Sequence, residues 1–288
     1  MFAGMILLTA AAHAAGAPAP AASLLLPRFE VSVENPTVMT TFTVTNASAL
    51  PQIVRVMLHT DRGYAVVWYS TAVMPRESMT VNLRRLLVEG KFDQRPLPAS
   101  PANPKLAAGA DRECGEHEHS GEMGMALMPV RYMLTSGCQL SSIIACTAPM
   151  GHRHAHAIGY AVIDLMTSCS TSEDTPRLGD AALTGTFEQR AGGRLIASGP
   201  LVPMPLPPSV TLRVPRGEHD VVVWRAPRGK VSCGNGDEDV FEVRHVDAKR
   251  AQTLTFRGEH VWAMLSEPMP PDPAAAGPPP GCPGVPVF

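Results

Sequence analysis

The chain has 288 residues, 24 Lys and Arg against 26 Asp and Glu, a formal net charge of −2, and 45% hydrophobic residues. This near-neutral balance carries no basic stripe, which argues against a nucleic-acid partner. No segment reads as a basic amphipathic helix for a membrane surface. None approaches the ~18 uninterrupted apolar residues of a bilayer span, so no transmembrane segment is expected.

Residues 1–14 read as a signal peptide. Met5-Ile-Leu-Leu-Thr-Ala-Ala-Ala12 is a short apolar run, and Ala12-His13-Ala14 fits a small-x-small cleavage site. No Lys or Arg precedes the run, a departure that a start codon assigned too far downstream would explain. The alternative is a disordered Ala/Pro terminus. Residues 15–23 (AGAPAPAAS) follow as a Pro/Ala spacer. The expected localisation is extracytoplasmic, secreted or periplasmic. Six cysteines in such a compartment suggest up to three disulfides, with no pairing fixed by the sequence.

A main β domain is expected over 24–199. Phe42 and Val44 share a face in Thr41–Asn46. Val54, Val56 and Leu58 share one in Ile53–Thr60, with Arg55 and His59 on the other. Met79, Val81 and Leu83 repeat the pattern. Period-two alternation with β-branched enrichment marks half-buried strands, and Asn46-Ala-Ser-Ala-Leu-Pro51 supplies turn formers. Pro and Gly make 53 of the 288 residues. The prolines cluster at 96–104, at 200–208, read as a linker, and in a tail over 267–288 expected to be disordered. Between linker and tail, strands are expected at Val210–Val214, Asp220–Trp224, Phe241–Val246 and Gln252–Phe256, with tight turns at Arg216-Gly217 and Arg228-Gly229. Residues 209–266 form either a second small β module, the favoured reading, or the remaining strands of the first. The fold class expected is all-β, an antiparallel immunoglobulin-like β-sandwich.

Thr41–Ser48, Gln52–Val56, Leu58–Asp61 and Val81–Arg84, with Gly159–Leu165 and Cys169-Ser-Thr171, together resemble uncharacterised exported bacterial proteins. The resemblance lies in patches within 35–171. It implies an exported β-sandwich and brings no activity or site residues.

The most distinctive stretch is 114–156, inside a His/Met-rich region at about 99–156. These 43 residues hold 13 of the 31 Cys, His and Met residues of the chain. Imidazole, thiolate and thioether are ligands for copper or zinc rather than calcium or magnesium. His152-Arg-His-Ala-His156 has the strongest geometry, because on a strand His152, His154 and His156 point to one face. That face continues through Ile158, Tyr160 and Val162. Cys114-Gly-Glu-His-Glu-His119 offers His117 and His119 as further ligands, followed by Met123, Met125 and Met128. The plainer readings are a solvated His-rich loop and a polar loop leading into a strand, with methionine filling core gaps. Cys114, Cys138 and Cys146 are ligands only if they are not oxidised. Gly234-Asn-Gly-Asp-Glu-Asp239 is an acidic turn without the spacing of a calcium loop.

No GxSxG, HExxH, P-loop or GxGxxG pattern occurs. The expected function is therefore that of a non-catalytic exported protein, a binding or envelope component with an unknown protein or envelope partner. The first alternative is a periplasmic protein binding copper or zinc through 114–156. The second is a hydrolase on a β-scaffold.

Overall fold

The computed structural model describes residues 19–32, 35–60, 65–89, 91, 95, 97, 103–107, 156–169, 177–226 and 241–268. In chain order these form β1 (Ser23–Ser32), β2 (Met39–Asn46), β3 (Gln52–Thr60), β4 (Ala65–Val73), β5 (Ser78–Asn82), α1 (Leu83–Glu89), β6 (His156–Met166) and β7 (Leu183–Ala191). There follow β8 (Arg194–Pro200), β9 (Val202–Pro203), β10 (Ser209–Val214), β11 (Gly217–Arg225), β12 (Phe241–Ala248), β13 (Gln252–Arg257) and β14 (Val261–Ser266). Every strand pairing between them is antiparallel. The chain is all-β and sandwich-like.

A five-stranded sheet, ordered β4-β3-β6-β1-β9, faces a four-stranded sheet, ordered β5-β2-β7-β8. The four-stranded sheet is two-faced. Thr40, Phe42, Val44 and Asn46 of β2 are buried while their neighbours are half-exposed, and β7 alternates likewise. On its outer side Thr43 pairs with Thr80, and Thr45 with Ser78, through their hydroxyls. Its inner side meets Leu24, Leu26, Phe29, Val54, Val56, Leu58, Ala161, Ile163 and Leu165 in the principal core. The alternation expected for β2 and β3 is thus the one the core selects.

The five-stranded sheet is covered on both faces, so β1 is buried along nearly its whole length. Its outer face carries one apolar cluster with Trp224, Leu206 and Trp262, and another with Leu97 and Leu106. The strands β10–β14 form a two-stranded sheet, β10-β13, against a three-stranded one, β12-β11-β14. Val214, Val221, Val223, Phe256 and Val261 pack between these two. Val222 and Met264, on the other side of the three-stranded sheet, join the principal core.

Three details differ from the sequence expectations. Leu83 does not continue β5. Asn82 accepts the backbone N–H groups of Arg84 and Arg85 at 3.0 and 3.1 Å, an N-cap that turns the chain into α1 and buries Leu83, Leu86 and Leu87. The 200–208 stretch is packed rather than free, because Val202–Pro203 pairs with β1 at the sheet edge, where proline is tolerated. Leu201 and Leu206 beside it are buried. The spacer likewise enters the fold by Ala21, which bridges Leu183. Residues 1–18 and 269–288, holding the expected signal peptide and most of the tail, lie outside the described residues.

Candidate functional site

His117, His119, His152 and His154 lie outside the described residues, as do Cys114, Cys138, Cys146, the methionines of 123–150 and the acidic turn 234–239. His156 is the first residue of β6, in register with Ser32 of β1. Further along β6, Tyr160 is buried against Trp224 and Leu25, with half-buried Val162 beside it, while Ile158 packs against the principal core. Among the described residues no group of three or more His, Cys, Asp or Glu is placed to share a metal ion.

What the described residues do bring together is a polar row on the outer face of the five-stranded sheet. Ser70, Arg55, Asp164 and Ser23 occupy directly opposed positions across β4, β3, β6 and β1. Their alternation follows from the apolar positions on either side: once Val54, Val56, Ile163 and Leu165 face the core, Arg55 and Asp164 must face outward. Asp164 is 1% exposed. Its Oδ1 accepts the Ser23 hydroxyl at 2.6 Å. Its Oδ2 lies 3.5 Å from Arg55 Nη2 and 3.3 Å from Arg177 Nε. Burying a carboxylate this deeply is costly unless it is paired and hydrogen-bonded, and this one is.

Two rows along, the His59 ring lies flat on Tyr160, with centroids 4.5 Å apart and planes 3° from parallel. Trp224 meets Tyr160 edge-on at 5.6 Å and 74°. Among the described residues the buried His59 Nδ1 and Trp224 Nε1 meet no well-aligned hydrogen-bond partner. Burial lowers the His59 pKa to about 4, against the pull of a backbone bond at Met57, with the Arg55 and Arg177 charges lowering it further. Burial raises that of the Tyr160 hydroxyl. At neutral pH both rings are uncharged.

These groups do not assemble a nucleophile and base. His59 is opposite Tyr160 and Arg55 is opposite Asp164, so His59 stands four residues along the strand from the Asp164–Ser23 pair, roughly 13 Å at strand rise. Hydrogen-bond reach is about 3 Å. The row therefore ties strands together, and the aromatic stack joins β3 and β6 to β11. Sequence reading placed Arg55 and His59 on a shared face but did not anticipate Asp164, Arg177 or Trp224 beside them. The available signal was a charged residue inside the apolar run Ile163-Asp-Leu165. The chain matches no protein-family model, no curated protein and no solved structure.

Proposed function

We propose that the protein is a non-catalytic, extracytoplasmic β-sandwich protein that acts by binding, as an exported or envelope component. The observation that carries this reading is the engagement of Asp164 by Ser23, Arg55 and Arg177, out of reach of His59. The polar groups of this face hold strands rather than a substrate. Export is supported by the apolar start of the chain and by Cys169, which is buried beside Ile53 and Met166 and is disulfide-bonded; disulfides persist in oxidising compartments. Fractionation of bacteria expressing a C-terminally tagged chain should recover it outside the cytoplasm with Ala15 as its first residue. Recovery of the uncleaved chain in the cytoplasm would overturn export. A hydrolytic activity lost in Asp164→Asn, at unchanged folded fraction, would put the hydrolase reading in its place.

A second reading is favoured by one observation. His156 opens β6, the central strand of the five-stranded sheet, so the His-x-His-x-His spacing runs directly into a strand paired on both sides. Imidazoles carried on such a base would suit copper or zinc, with His152, His154 and His156 as ligands and His117 and His119 as further ones. Elemental analysis of protein from its native compartment should give metal in the wild type and less in a His152/His154/His156→Ala variant. Equal contents would sink the triplet site.

A further inference from the structure

We propose that β12 is a self-recognition edge, at which two copies of the chain pair their β12 strands antiparallel about Val243. β12 is the outer strand of its sheet and, among the described residues, pairs with β11 alone. Glu242, Val243, Arg244, His245 and Asp247 are all exposed, while Val246 and Ala248, towards the end of the strand, pack on the core between the two smaller sheets. Val243 is 44% exposed, although Val222, its register partner on β11, is fully buried. A solvent-facing valine on an open edge is an unused apolar contact beside a row of unpaired backbone groups.

The charge pattern selects the occupant. A two-fold axis between antiparallel copies runs normal to the sheet, and opposed residues must share a face, so the pairing has to centre on a residue. Centred on Val243, the two valines meet and Glu242 of each copy opposes Arg244 of the other. Centred on Glu242 or on Arg244, like charges meet directly, which is unfavourable. Centred on His245, Val243 is set against Asp247. The register about Val243 is thus both apolar at its axis and self-complementary on its flanks. Within one copy Glu242 and Arg244 already bond to each other at 2.6 and 2.8 Å, so both side chains lie on the same face, with Arg225 beside Glu242 and the Phe256 ring beneath Arg244. Charged edges usually deter pairing; a pattern complementary to its own copy deters other strands and admits that one. Such a short strand pair buries less than the ~1,000 Å² of a permanent interface, so the dimer is concentration-dependent.

Sedimentation equilibrium of the full chain tests this. The wild type should show a monomer–dimer equilibrium. Val243→Lys, which sets two ammonium groups at the axis, should weaken it about tenfold or more. Glu242→Arg and Arg244→Glu should each weaken it, and together restore it to within about twofold of wild type, because the swapped pair is again self-complementary. The altered side chains are exposed, so thermal melting should be nearly unchanged in all four variants. A wild type that stays monomeric, a Val243→Lys protein that dimerises as well as wild type, or a double reversal no stronger than the single ones would each overturn the proposal.

Discussion

The Ser23 hydroxyl donates to the Asp164 carboxylate at 2.6 Å, joining the first residue of β1 to the C-terminal part of β6 across 141 positions of sequence. Because Arg55 and Arg177 share the same carboxylate, the contact is one arm of a buried charge network. Removing the acid leaves guanidinium charge beside a sheet interior. Asp164→Asn is therefore expected to cost roughly 3 kcal/mol, and Ser23→Ala about 1 kcal/mol. The double variant should cost little more than Asp164→Asn alone, since both act on one network. Urea denaturation midpoints of the four proteins measure all three values, and simple additivity would show that the hydroxyl acts elsewhere.

Acid should loosen the fold through His59. Its pKa is held at about 4 in the folded protein, by burial first and by Arg55 and Arg177 in addition, against an unfolded value near 6.5. The unfolded chain therefore takes up a proton that the folded one refuses. The stability contributed is fully present above pH 6.5 and is lost as pH falls towards 4, by at most about 3 kcal/mol. His59→Phe keeps a ring on Tyr160 and removes the proton site. Urea midpoints from pH 7.5 to 4.5 should fall more steeply for the wild type than for this variant; parallel slopes would remove His59 as the cause.

How far the sequence disclosed this fold depends on how many faces of each strand are buried. β2 buries one face, and β3, although covered on both, carries the polar Arg55 and His59 on its outer one, so Phe42/Val44 and Val54/Val56/Leu58 stand out by alternation. β1 buries both, and Leu24-Leu-Leu-Pro-Arg-Phe-Glu-Val-Ser32 has no period to read. Proline hid the ordered part of 200–208, where an edge position lets Pro203 sit in a sheet. The end of β5 was hidden by Asn82, whose capping bonds outweigh the alternation that Leu83 continues. For the site, the opposite face of Arg55 and His59 was legible from β3 alone. The partners Asp164, Arg177 and Trp224 were not, since they arrive from distant segments brought alongside only by strand order.

Asn46 ties two turns together, and its loss should be felt at both. It is fully buried at the end of β2. Its amide nitrogen donates to the carbonyls of Leu50, Val73 and Met74 at 2.8, 3.0 and 3.2 Å. Its carbonyl oxygen accepts the Ser48 N–H and hydroxyl at 2.9 and 2.7 Å. Asn46→Ala strands these groups and is expected to cost about 2–4 kcal/mol, one to two buried unsatisfied groups. Hydrogen exchange should rise both at Ser48 and at Arg76 and Glu77, whose backbones close the second turn. Faster exchange at one turn alone would mean that the two are held independently.

Gly185 marks where the four-stranded sheet admits the segment after β8. Leu201 donates its N–H to the Gly185 carbonyl at 2.9 Å, and its side chain covers the glycine. A Cβ at 185 would lie 2.5 Å from the Thr43 carbonyl oxygen and 2.6 Å from Leu201 Cδ1. The leucine methyl can turn aside, but the backbone oxygen belongs to β2, held in register with β7 from Met39 to Asn46. Gly185→Ala should therefore destabilise by about 1–3 kcal/mol through overpacking. Leu201→Ala in the same protein should recover little of that loss, because it opens room on the leucine side only and removes a buried side chain of its own. Recovery of most of the stability in the double variant would show that the leucine, and not the Thr43 carbonyl, sets the limit at this position.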